Sequence, residues 1–238
     1  MHRYDVSRRS LAYGIAALAG FIDATGFLAA DGYFVSFMSG NTTRLGVDLA
    51  SRVEAALTRA LLILGFVCGV AAGAVAAERV PTRRKSAVLA LSSLLVAIAA
   101  SGHAVGSAVV FLAGSVTAMG AINNVFRRNG EVAVGVTYMT GALVRFGQGL
   151  AARLTGKPIE GAAASLALWA SLALGAVAGA SATAWSPELA PWLPLVGALM
   201  LFGGIGRVFK AKFASGAFRV VFGGVALAGA AIFGLIGL

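Results

Sequence analysis

Long apolar runs separated by short, mostly basic breaks dominate the chain. Runs of spanning length occupy about residues 10–30, 57–78, 86–104, 105–126, 161–185, 190–207 and 220–238, against the ~20 residues a helix needs to cross the hydrocarbon of a bilayer. They are continuous and rich in Ala and Leu, without the apolar and polar alternation of barrel strands. Backbone groups in lipid must bond within the segment or within a closed barrel, so the pattern predicts an all-α integral membrane fold with seven spans. One amphipathic stretch, residues 35–50, is too short for that role. As a helix its sixteen residues reach about 24 Å at 1.5 Å per residue, less than the ~30 Å of hydrocarbon.

Composition agrees with the pattern. Hydrophobic residues make up 59% of the chain and charged residues 12%, with a mean hydropathy of +0.88; too little polar surface is left to cover a water-soluble globule. The net charge of +10 does not mark a nucleic-acid binder, because the basic residues sit in short loops. Arg3, Arg8 and Arg9 precede the first run; Arg79, Arg83, Arg84 and Lys85 follow the second; Arg127 and Arg128 follow the fourth; Arg207, Lys210, Lys212 and Arg219 follow the sixth. All four clusters fall on one side, which the positive-inside rule makes cytoplasmic. The expected topology has a cytoplasmic N-terminus and an outside C-terminus. Ser7-Arg8-Arg9 before an apolar run resembles a twin-arginine export signal, but six more runs follow and Asp23 interrupts the first, so an ordinary membrane anchor is expected.

The chain also repeats itself. VSFMSGNTTRLGVDLA at 35–50 returns as VTYMTGALVRFGQGLA at 136–151, an offset of 101, with Val35, Met38, Gly40, Arg44, Gly46, Leu49 and Ala50 identical in both copies. A weaker echo relates Gly69 through Ala74 to Gly175 through Ala180 at an offset of 106. Three spans per copy is an odd number, so the second copy enters the membrane from the opposite side, and the repeats are inverted. The expected organisation is a first repeat at 1–104, an inverted second at 105–208, and a basic linker with a seventh span at 209–238. Each short motif is then either a re-entrant or broken helix meeting its partner near mid-membrane, or an amphipathic helix lying on the surface.

The motif carries a family resemblance. Gly20-Phe21-Ile22-Asp23-Ala24 with Gly26-Phe27, then Phe34 through Thr43, resembles the signature of the YoaK family of multi-pass bacterial membrane proteins. Ala118-Met119-Gly120 with Asn123 and Asn124, and Tyr138 through Gly141 with Arg145, are similar to that family's second half. The resemblance covers roughly residues 10–207. It implies a polytopic protein of the bacterial inner membrane and no substrate, since the family's function is unassigned.

Polar residues inside apolar runs are the candidates for chemistry. Asp23 lies well within the first run, where an ionisable group costs ~2.5–3.5 kcal/mol and belongs at a partner or a cavity. At the motif offset its counterpart is Asn124, beside Asn123. The functional reading is a cation, proton or hydrogen-bonding site on the repeat axis; the structural reading is a hydrogen-bond network between the first and fourth spans. In the first motif copy Ser39, Asn41, Thr42 and Arg44 are candidate contacts, with Gly40 allowing close backbone approach. The second copy offers Thr140, Gly141 and Arg145, but Asn41, Thr42, Thr43 and Asp48 have become Ala142, Leu143, Val144 and Gly149. Arg44 and Arg145 suit anion recognition, a pair with Asp23 or Asp48, or snorkelling to headgroups. Arg44 and Asp48, four apart, suggest an intrahelical pair.

Other residues are ordinary. His2 is terminal and His103 sits at a hairpin, and no Cys/His cluster, HExxH, GxSxG or phosphate-cradling loop occurs, so no metal, cofactor or enzyme activity is expected. Cys68, the single cysteine, is expected to pack in its apolar run. Trp169, Trp185 and Trp192 have normal places in or beside spans. The leading expectation is a small-solute transporter or channel at the interface of inverted repeats. In layout alone, three-plus-three spans with an extra helix resemble the trimeric intracellular cation channels. A structural or assembly protein is second, and a lipid-handling enzyme third. The expected partners are the bilayer, a small solute and, through the small-residue faces, further copies of the chain; no nucleic acid is expected.

Overall fold

The computed structural model describes residues 6–128, 131–132, 137–156 and 161–210. Its helices are α1 (Val6–Ala29), α2 (Met38–Leu49), α3 (Val53–Arg79), α4 (Arg84–Ala104), α5 (Ala108–Ile122), α6 (Met139–Leu154), α7 (Ala162–Trp185) and α8 (Leu193–Lys210). Short 3-10 turns at Pro81–Arg83 and Ala190–Trp192 lead into α4 and α8, and another at Asn123–Val125 ends α5. Among the described residues the single sheet is a two-residue antiparallel ladder, Arg127–Arg128 with Glu131–Val132. The chain divides into two units, Met1–Phe202 and Gly203–Leu238; of the second, the described residues 203–210 are helical.

Five helical segments among the described residues are long and apolar enough to cross a membrane: Arg9–Ala29, Val53–Arg79, Pro81–Ala104, Ala108–Val125 and Ala162–Trp185. The sixth expected span begins as the shorter apolar helical stretch Ala190–Gly203, and the seventh, 220–238, lies outside the described residues. The first motif helix is also shorter than its repeat, since residues 35–37 are not helical. α2 keeps only 12 residues, about 18 Å at helical rise.

The central helix is α5, with 72% of its most apolar window buried, whereas α3 and α7 bury 22% of theirs. Leu57, Leu61, Leu64 and Val67 of α3 and Leu174 and Val177 of α7 are exposed, as suits surfaces facing lipid tails. Cys68, expected to pack, is exposed on the same helix as the first group.

Glycines set how closely the helices cross. A Cβ at Gly20 of α1 would overlap the Leu172 carbonyl of α7, while Gly175 and Gly179 of α7 lie equally close to the carbonyls of Ala17 and Phe21. On the other crossing, Gly120 of α5 lies against the Phe66 carbonyl of α3, and Gly69 and Gly73 of α3 against those of Thr117 and Ala121. No larger residue permits such backbone contact, the usual basis of helix association where lipid removes the hydrophobic drive. The two crossings share one register: α1 residues 17, 20 and 21 correspond to α5 residues 117, 120 and 121, and α3 residues 66, 69 and 73 to α7 residues 172, 175 and 179. Likewise α2 packs on α3 as α6 packs on α7.

Candidate functional site

The site begins where α1 ends. Asp31 (φ 49°) and Gly32 (φ 76°) turn the chain back on itself, a conformation glycine adopts freely. The returning strand of chain descends along α1, where Val35 packs against Gly26. It reaches Asp23, six residues before the end of α1 and so about 9 Å along its axis. There the Asp23 Oδ1 accepts the backbone N–H groups of Val35 and Ser36 at 2.8 and 2.9 Å, and Oδ2 accepts the Ser36 hydroxyl at 2.9 Å. Val35 and Ser36 are buried. Both carboxylate oxygens thus moor the segment leading into α2, satisfying donors that a loop at this depth could not otherwise pair.

Two further side chains hold the same loop. Asn41 is fully buried; its amide group donates to the Phe34 carbonyl at 2.7 Å and its oxygen accepts the Phe34 N–H at 3.3 Å. Arg44 donates to the Gly32 carbonyl at 2.7 Å and stacks over the rings of Phe27 and Phe34, 5.5 and 5.4 Å from their centroids. Its polar partner is thus the Gly32 carbonyl rather than Asp48 or Asp23. Asp48 instead bonds Arg52 at 3.0 Å and, more closely, Arg59 of α3. Four residues along a helix allowed the Arg44 pair, but the buried face of α2 turns Asp48 toward α3 and Arg44 toward the loop.

Arg59 was missed in the sequence although the signal was present, a charge three positions into the apolar run at 57–78. It is buried, with its guanidinium 4.7 Å from the Tyr33 ring centroid. The hydrogen bond from Arg59, with the positive charge behind it, holds the Asp48 carboxyl below the usual carboxylate range. Desolvated and paired, the two charges fasten α2 to α3.

The remaining motif residues face outward. Ser39, Thr42 and Thr43 are exposed on α2; Thr42 and Thr43 donate to the carbonyls of Met38 and Ser39 at 2.8 and 3.1 Å. Gly40 sits under the rings of Phe34 and Phe37. In the second copy Thr140, Gly141 and Arg145 are exposed. Asn123 and Asn124 are both buried, but they act differently. Asn124 donates to the Val70 carbonyl of α3 at 2.9 Å. Asn123 accepts the Thr137 hydroxyl at 3.3 Å and donates to the Met119 carbonyl at 2.9 Å. In the register of the helix crossings, 100 residues from Asp23, the counterpart is therefore Asn123 and not Asn124.

Sequence comparison supplies the family. Residues 11–204 match a family described as a protein of unknown function, DUF1275. The chain belongs to this family. It is also similar to the UPF0700 transmembrane protein RA0705 of Rhizobium meliloti (strain 1021), 37% identical over 192 residues, which is 81% of this chain and 83% of that one. No solved structure matches the chain. Membership agrees with the resemblance read from the motif, and the chain is a multi-pass membrane protein.

Proposed function

We propose that the protein is a small-solute transporter or channel of the bacterial inner membrane, with no catalytic activity, whose pathway runs between two inverted halves. The carrying observation is a pair of polar moorings related by exchange of the halves. Asp23 with Ser36 ends one and Asn123 with Thr137 the other. The first precedes a helix, α2, that starts beside Asp23, six residues short of the end of α1. Three long apolar segments precede α5, so a repeat that begins again at α5 begins from the other side. The organisation is then a first repeat at 1–104, an inverted second at 105–208 and a terminal segment at 209–238, with N-terminus cytoplasmic and C-terminus outside.

In this reading α2 is a re-entrant half-helix, and its outward hydroxyls at Ser39, Thr42 and Thr43 line the pathway. Irregular backbone at membrane depth is tolerated where protein or a watery cavity surrounds it. A second reading is favoured by one observation, that both oxygens of Asp23 and the guanidinium of Arg44 are engaged in holding the loop. That makes them scaffold and leaves recognition to the hydroxyl face.

The test is a chain with Cys68→Ser and single cysteines replacing Ser39, Thr42 or Thr43 in membrane vesicles. Reaction of all three with a membrane-impermeant thiol reagent, together with saturable flux of one member of a panel of small polyols, amino acids and monovalent ions in proteoliposomes, is the expected result. Protection of all three positions and absence of flux across the panel would leave the scaffold reading in its place.

A further inference from the structure

A separate polar site lies away from Asp23, where the ends of α1, α4 and α5 meet the turn before α8. A small cavity of about 10 Å³ is lined there by Ile22, Thr25, Val96, Ala99, Phe111, Ser115, Pro191 and Pro194. Six of these are apolar, and two bring hydroxyls. Thr25 is 2% exposed, and its hydroxyl has no partner among the described residues. Ser115, equally buried, lies across from it on α5. Asp23 and Thr25 are two positions apart, so they point to nearly opposite sides of α1.

The unpartnered hydroxyls continue inward. Ser92 and Ser93 of α4 are buried and also without a partner. They lie four and three residues before Val96, on the same side of the helix and one turn deeper. Buried polar groups are nearly always satisfied by protein or by ordered water. Three orphaned hydroxyls on the two helices that frame one cavity therefore call for a ligand that donates and accepts hydrogen bonds. A cavity of this size admits about one water molecule. No charged side chain lines it, and two neutral hydroxyls fall short of the six or more oxygens that a desolvated hard cation requires.

We infer that the cavity between α1, α4, α5 and the turn before α8 is a binding site for a neutral hydrogen-bonding ligand of water size, held by the Thr25 and Ser115 hydroxyls and continuing toward Ser92. In the resting protein that ligand is water. The site does not rest on the transport reading, because it is occupied whether or not solute crosses.

X-ray hydroxyl-radical footprinting of the full chain in lipid nanodiscs tests it with bound water as the probe. Radicals formed from a water in the cavity oxidise the residues around it. Phe111, 4% exposed, is expected to be labelled as fast as an exposed aromatic such as Trp185, while fully buried Met119 is not. Thr25→Val with Ser115→Ala is expected to reduce the Phe111 label several-fold without changing that of Trp185. Thr25→Ser, which keeps the hydroxyl, is expected to retain it and guards against a folding artefact. Replacing sodium by choline in the buffer is expected to leave every label unchanged. A wild-type Phe111 label no greater than that of Met119, or one indifferent to the double substitution, overturns the site. A label that changes with the cation overturns its neutral character.

Discussion

The helices α1, α2 and α3 and the helices α5, α6 and α7 are two renderings of one backbone plan with different side-chain chemistry. Gly20 against Leu172 matches Gly120 against Phe66, and Gly69 with Gly73 matches Gly175 with Gly179. The moorings differ in charge, for the carboxylate of Asp23 accepts three hydrogen bonds from its loop where, among the described residues, the amide of Asn123 accepts the Thr137 hydroxyl. The latch between α2 and α3, Asp48 with Arg59, falls on Gly149 and Ser165 in the second half. There Gly149 lets α6 lie against Ala162, and the Ser165 hydroxyl donates to its own helix at Gly161. The outward face of α2 carries hydroxyls, and that of α6 carries Leu143 and Val144. Both halves keep the crossings, and at the positions of the ionic latch the second half has a glycine and a serine.

Breaking the shared crossings has the largest expected effect. Gly175→Leu and Gly69→Leu each push a side chain into a backbone carbonyl and are expected to abolish folded protein alike, a penalty beyond the ~1–3 kcal/mol of ordinary overpacking. Yield of monodisperse protein in detergent measures it; tolerance of either would show that the two crossings are not equivalent.

The moorings come next and should be unequal. Hydrogen bonds to a charged group contribute about 1.5–3 kcal/mol, against ~1 kcal/mol for neutral ones. Asp23→Ala is therefore expected to lower stability by about 3 kcal/mol or more and Asn123→Ala by about 1–2 kcal/mol, read from thermal unfolding. Equal losses would remove the distinction between halves.

The latch sharpens the comparison through pH. Because Arg59 holds Asp48 below its ordinary pKa of 3.8, the stabilisation is complete above that value and is lost as the pH falls below it. Hydrogen exchange in α2 is expected to accelerate over that acid range while α6 shows no matching step, and Asp48→Asn is expected to make α2 exchange fast at every pH. The smallest effect belongs to the motif arginines. Arg44→Lys loses the stacking on Phe27 and Phe34 and is expected to cost about 1 kcal/mol, whereas Arg145→Lys at an exposed position should change stability by less than about 0.5 kcal/mol.

Much of this plan was legible in the sequence, and the gaps have physical causes. The apolar runs gave the helices, and the Gly69 to Ala74 echo, weak as a motif, marks the helix crossing itself. Asn123 was misread as secondary to Asn124 because the motif offset of 101 was carried back to the preceding helix, where the crossing register is 100. A one-residue change in the connecting loop turns a helix by ~100°, enough to exchange neighbouring asparagines. A pair of Arg44 with Asp48 is one of the readings the sequence suggests, because helical spacing reports who is adjacent along one helix. It does not report that Asp48 faces a second helix, eleven residues on at Arg59. Cys68 looked buried because an apolar neighbourhood in a membrane helix faces lipid as readily as protein.

The inversion of the two halves is the central claim, and sidedness tests it most directly. In oriented vesicles of the Cys68→Ser protein, single cysteines at Thr42 and Leu143, equivalent positions of the two motifs, are treated with an impermeant thiol reagent from one side at a time. The account predicts labelling of Thr42→Cys from the outside and of Leu143→Cys from the cytoplasmic side. Labelling of both from the same side would contradict it.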